Sequence, residues 1–233
     1  NDSTDILSGS VTLEYFNNSP DTLRQVFFHL YQNAFQPESY LDKLKKNNKQ
    51  KPHYGIYEQQ KLGTQIISLQ YMSGGAQGQR MFKPAYNIDN TIMQVNLDEP
   101  MLPGGSLTFN INFATYYDIT GDQRRMKIFR GSGGRKHYDG VHWYPRMCVY
   151  DAKFGWDVNQ HMGHEFYGDF GSYQVELTLP NQYILDGTGV MLNESEVLPQ
   201  ALRAQLDIAN FKNKPYGSPA SEIIKPDGTT KTW

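Results

Sequence analysis

The chain is 233 residues long, enough for one large domain or two small ones with a substantial core in either case. Its 22 Lys plus Arg against 24 Asp plus Glu give a formal charge of −2, which denies it a global positive field, so no nucleic-acid and no membrane partner is expected. No apolar run approaches the roughly 18 residues of a membrane span, and the lone Cys148 cannot form an internal disulfide, so packing and not cross-linking holds the fold.

Aromatic residues are abundant at 13%, with 16 Tyr and 12 Phe beside 21 Gly and 12 Pro, a composition that leans towards strands broken by turns. In chain order, residues 8–16 alternate apolar and polar, with Val11, Leu13 and Tyr15 on one face, and predict a strand. The Asn17-Asn-Ser-Pro-Asp21 cluster predicts a turn, and residues 23–31 (LRQVFFHLY) a second strand paired to the first as a hairpin. A helical turn is expected at 39–45, with the basic stretch 43–51 as a solvated loop.

Strands are expected next at 65–72, 91–97 and 106–117, separated by Gly and Pro turn signals. In the last of these Leu107, Phe109, Ile111 and Phe113 alternate with Thr108, Asn110 and Asn112, the cleanest period-two run in the chain. The same pattern predicts a strand over 171–179 with a partner over 183–192. Residues 196–209 carry Leu198, Leu202 and Leu206 at helical spacing behind Pro199, and 222–225 with 229–233 read as a hairpin about Pro226-Asp-Gly228. The sum is one mainly β domain over 1–233, antiparallel, with one short helix.

Most chemical motifs fail on spacing. His161 and His164-Glu165 lack the second His that a zinc-binding HExxH helix requires, and Gly163 and Gly168 disfavour that helix. Hydrogen-bonded loop histidines are the plainer reading. Arg124-Arg125 and the Gly131-Ser-Gly-Gly134 turn lack the Gly-Lys-Ser/Thr ending of a phosphate loop, and neither Ser132 nor Ser172 sits in a Gly-x-Ser-x-Gly elbow. Asp118, Asp122 and Asp139 match no calcium loop, Cys148 reads as a small core residue, and Asn1, Asn17 and Asn193 begin glycosylation sequons of the kind that occur by chance.

One run is denser than packing alone suggests: Trp143-Tyr-Pro145-(x)5-Asp151-(x)3-Gly155-Trp156, then Gly163-His-Glu165-Phe-Tyr-Gly168-Asp-Phe-Gly171 and Gly187-Thr-Gly189. Together with the opening Gly9-Ser-Val-Thr-Leu-Glu-Tyr and the closing Thr230-Lys-Thr-Trp233, it resembles the amino-terminal domain of the aminopeptidase N-like zinc metallopeptidases, the gluzincin aminopeptidases. The likeness runs almost end to end, with a weaker middle at 38–90.

The resemblance implies a saddle-like β-sandwich that packs against a thermolysin-like catalytic domain of the same polypeptide. Zinc and HExxH are expected in that catalytic domain and not in this chain, which is then a fragment, inactive alone, of an exported enzyme. It also implies a contact to the substrate's amino terminus, for which the family uses Gln or Glu before the Pro matching Pro145; here that stretch reads Gly134-Arg-Lys-His-Tyr-Asp139, leaving Asp139 and Glu165 as the candidate residues. Trp143, Pro145, Arg146, Asp151 and Trp156 form the expected structural cluster, with an Arg146 and Asp151 ion pair ordering the loop. The alternative from a different class is a free-standing β-sandwich binding carbohydrate on Trp143, Tyr144 and Trp156, and a self-contained hydrolase would need a nucleophile or metal set that the sequence does not offer.

Overall fold

The computed structural model describes residues 1–75, 78–119, 126–131, 134–219 and 221–233. Arg124, Arg125, Asp122 and Ser132 lie outside the described residues. The chain forms two compact units, one built from Ser3–Arg130 and Lys136–Phe170 with Asn1, the other from Gly131–Arg135 and Gly171–Trp233 with Asp2.

The first unit begins with β1 (Ile6–Phe16) and β2 (Leu23–His29), followed by a 3-10 turn at Tyr31–Phe35 and the short helices α1 (Tyr40–Asn47) and α2 (Ile56–Gln59). The strands β3 (Thr64–Gly75), β4 (Gly78–Phe82), β5 (Tyr86–Asp89), β6 (Ile92–Met101) and β7 (Ser106–Tyr116) come next. A hairpin of β8 (Met126–Arg130) and β9 (Lys136–Gly140) and the two-residue strands β10 (Arg146–Met147), β11 (Tyr150–Asp151) and β12 (Gly155–Trp156) complete it. Two antiparallel sheets result, in the orders β1-β7-β3-β4 and β10-β2-β6-β5.

The facing sides of these sheets share one core, with Leu69, Tyr71, Leu107, Phe109 and Ile111 from the first sheet against Val26, Phe28, Met93 and Val95 from the second. Phe28 meets Phe109 edge to face across the layers at 5.5 Å between ring centroids. The fold is therefore mainly β, an antiparallel sandwich and not a closed barrel. The buried hydroxyl of Tyr71 accepts the Asp98 amide at 2.8 Å, so this core ring does not leave its polar atom stranded.

Several expectations differ from the observed fold. The first two strands do not form a hairpin: β1 pairs with β7 and β2 with β6, in opposite sheets. Asn17 explains the crossing. Only 1% exposed, its side-chain amide donates to the carbonyls of Asp21 at 2.7 Å, Leu102 at 3.2 Å and Met101 at 3.4 Å, while its carboxamide oxygen accepts from Ser19. Its backbone also bonds to Gly104 and Gly105, tying the corner after β1 to the turn between β6 and β7. An asparagine held in this way is no glycan acceptor in the folded chain.

The basic stretch enters a helix, because Ser39 Oγ accepts the Asp42 amide at 3.0 Å and Asp42 in turn accepts from Lys46 at 2.8 Å, giving α1 a capped start and an i,i+4 pair. The helical content is thus more than one segment.

The second unit departs furthest from the pattern. The expected strand over 171–179 is reduced to β13 (Thr178–Pro180), and its partner is not 183–192 but β14 (Thr230–Thr232). Tyr173 and Val175 are 61% and 49% exposed, so their alternation has no sheet to sit on; period two describes a strand only where a ladder partner and a covering layer exist. The helical segment splits into α3 (Glu194–Val197) and α4 (Gln200–Leu206), since Pro199 holds Leu198 out of the helical region at φ −125°, ψ 69°.

Asn17→Ala is expected to lower stability by roughly 2–3 kcal/mol, because it strips donors from buried carbonyls, while the neighbouring exposed Asn18→Ala stays within about 0.5 kcal/mol. Urea unfolding of the two variants checks the contrast.

Candidate functional site

The run that follows Pro145 is fastened strand by strand to the sandwich. In β10, Arg146 and Met147 pair with His29 and Phe28 at the edge of β2, and the Cys148 amide continues the ladder to Phe27 at 2.9 Å. Cys148 and Val149 are buried at 1% and 4% exposure, and burial pushes the Cys148 thiol far above its usual range, which makes it a core side chain and not a nucleophile.

The chain then turns back between β11 and β12. Asp151 Oδ1 accepts the amides of Lys153 at 2.7 Å and Phe154 at 3.2 Å, and Gly155 takes the left-handed φ of 78° that closes the hairpin. Trp156 packs between Tyr15, Phe27 and Tyr150 at ring distances of 5.2–5.9 Å. Beyond it, Gln160 pins the strip to the turn between β5 and β6: its carboxamide oxygen accepts from the Thr91 hydroxyl at 2.6 Å and its amide donates to the Asp89 carbonyl at 2.8 Å.

Between this strip and the edge of the sheet opens a cleft of about 780 Å³. Its floor is a set of stacked rings. His29 lies on Tyr31 at 4.7 Å with planes 11° apart, Tyr31 meets Phe166 edge to face at 5.0 Å, and Phe166 stacks on His161 at 5.0 Å. His142 closes over Phe166 at 3.8 Å from a left-handed backbone, φ 56°, and Gln32 anchors that residue by donating to the Val141 and His142 carbonyls.

His29 is only 3% exposed, and neither of its ring nitrogens has a hydrogen-bond partner among the described residues. Burial drives its pKa from the ordinary 6.5 down to about 4; the Asp157 carboxylate pulls it up, and Arg146 and His161 press it further down. Burial also pushes the Tyr31 hydroxyl up to about 12. His29 and Tyr31 are therefore both uncharged near neutral pH.

The walls carry the opposite character, with Asp151, Asp157 and Glu165 lining the cleft and, among the described residues, no Lys or Arg in that lining. Arg146 lies outside that lining; its guanidinium donates to the Asp169 carbonyl at 3.4 Å and sits where a side chain on Gly168 would otherwise go. No group of three or more His, Cys, Asp or Glu among the described residues converges to hold a metal ion.

Of the residues singled out in the sequence, Glu165, Asp151 and Trp156 meet in this cleft, and His161 and His164 line it as well. Asp139 does not: it faces Lys127 across the β8 and β9 hairpin, close enough to Tyr117 to add to the rise that burial imposes on that phenol's pKa. The anticipated Arg146 and Asp151 pair is absent, since Asp151 caps the β11 to β12 turn instead. Trp143 packs on Phe113 at 6.1 Å and on Tyr144 at 5.1 Å, and neither Trp143 nor Tyr144 lines the cleft that holds Trp156, so the three rings make no common sugar-stacking platform. Sequence reasoning missed His29, Tyr31 and Gln160; the signal was a His at the inner end of an otherwise apolar strand. No family model matches this chain, and no curated protein matches it either.

Because His29 takes up a proton more readily unfolded than folded, its contribution to stability is whole above pH 6.5 and is lost as the pH falls from 6.5 towards 4, by roughly 3 kcal/mol. His29→Phe keeps a ring on Tyr31 and leaves no nitrogen unpaired, so it should flatten that part of the curve. Urea unfolding at about pH 7.5 and about pH 4.5 measures the slope in both proteins.

Proposed function

We propose that this chain is the non-catalytic amino-terminal domain of a zinc-dependent aminopeptidase of the aminopeptidase N-like gluzincin family, framing the substrate cleft and docking the catalytic domain of the same polypeptide. The observation that carries the reading is the course of residues 143–168, which bear the likeness: they extend the edge of β2, turn at Asp151 and supply the wall of the cleft. Glu165, exposed on that wall, offers a carboxylate to the ammonium of a peptide amino terminus, whereas Asp139 stands elsewhere on the hairpin.

Docking is supported by the large apolar side chains that the second unit leaves in solvent, among them Val190 and Leu192 at 85% and 88% exposure and Ile208 at 82%. Zinc would supply an activated water in the catalytic domain. Among the described residues the histidines and carboxylates do not converge as a ligand set. Its own part is to shape the cleft, limit water within it and orient the peptide.

The full-length gene product is expected to carry HExxH with a Glu about two dozen residues downstream, to release amino-terminal residues and to stop when zinc is chelated. In that protein Glu165→Gln should raise KM about tenfold with kcat little changed, the signature of lost substrate binding. A full-length product without HExxH sinks the reading.

A further inference from the structure

We propose that the cleft binds the side chain of a basic residue, a guanidinium or ammonium on an apolar stem. The peptide identity of that ligand rests on the aminopeptidase reading; its charge and shape do not. Three carboxylates, Asp151, Asp157 and Glu165, line a cleft of about 780 Å³ whose lining, among the described residues, holds no Lys or Arg; the Arg146 charge reaches the floor at His29 and Tyr31, so the side of the cleft that attracts positive charge is the one the carboxylates line. Asp151 and Asp157 each bind backbone amides of their own turns through Oδ1, which fixes the carboxyl groups in place.

The other lining groups favour an organic cation over a bare ion. Phe154, Trp156 and Phe166 present ring surface to the same space, where an aliphatic stem is desolvated and a cation gains from ring faces. A metal ion would need the acidic groups to converge, and among the described residues they do not.

At the floor, His29 is 3% exposed and both its ring nitrogens are unpartnered, an unmet hydrogen-bonding capacity inside the molecule. A buried polar atom left in that state is costly, and a ligand donor that reaches the ring as the cleft fills relieves the cost. The ring is held neutral by its burial, so it keeps a lone pair and does not repel a cation. A guanidinium, with five N–H donors in a planar fork, suits both a carboxylate wall and a stacked-ring floor.

The test titrates the 233-residue chain with N-acetylarginine amide and with its neutral isostere N-acetylcitrulline amide, following Trp fluorescence, to which Trp156 in the cleft contributes, with calorimetry as a second readout. The arginine probe is expected to bind saturably and at least tenfold more tightly than the citrulline probe, and to weaken severalfold in about 0.5 M salt. Asp157→Asn with Glu165→Gln should remove most of that preference while the thermal midpoint stays within a few degrees. Equal binding of the two probes, binding of neither, or a preference unchanged in the double variant overturns the proposal. Neither probe has a free amino terminus or needs a catalytic domain, so this result is separate from the fate of the aminopeptidase reading.

Discussion

The pairing of β7 with two neighbours at once is the constraint on which the sandwich depends. β1 and β3 both take their register from it, so Leu107, Phe109 and Ile111 must all face the second sheet or all face solvent. A slip of one residue would expose three core side chains and bury Thr108, Asn110 and Asn112 in their place. The facing strands β2 and β6 meet the same demand through Val26, Phe28, Met93 and Val95, and the edge-to-face contact of Phe28 with Phe109 marks where the two requirements join. Everything that builds the cleft hangs on the outer edge of β2, so the geometry of the site inherits its precision from this register.

The cleft then arises from a conflict between local and global demands. The segment after Pro145 is too short in its strands and too rich in polar residues to make another layer, yet it must satisfy its backbone against something. It does so by two ladder residues on β2, a side-chain cap at Asp151 and a glutamine clasp at Thr91, each a local solution that leaves space between fastenings. Rings fill the bottom of that space, and carboxylates stay at its walls where water can reach them. His29, caught beneath, remains neutral because burial outweighs the pull of the Asp157 carboxylate.

The two functional proposals use different properties of this one cleft. The aminopeptidase reading draws on the course of the chain around it and on the resemblance of those residues to a family. The basic side-chain proposal draws on the sign of its walls and the nature of its floor, and holds for the isolated chain. Their common ground is that tertiary packing brings the rings of His29 and Tyr31 under a strip, residues 151–167, that carries the carboxylates and the remaining aromatic residues.

The antiparallel β class, the strands β3, β6 and β7 and the core face of β7 were legible in the sequence, because a half-buried strand writes its burial as a period of two, whereas β4 and β5 were not read from it. Cys148 as core and Glu165 beside the aromatic run were legible too. The partner of each strand was not: β1 and β2 look like a hairpin until Asn17, a residue whose turn propensity says nothing of the three carbonyls it holds, turns the chain from one sheet to the other. The strand pattern at 171–179 failed for the same reason, since alternation records what a sheet would bury and not whether a neighbour is there to form it. By itself, then, the sequence determined which side chains seek burial and where the chain bends. Only the tertiary structure decided which strands meet, and so which rings and carboxylates share a cleft, because hydrogen-bond ladders and ring contacts join residues far apart along the chain and depend on the partner as much as on the residue.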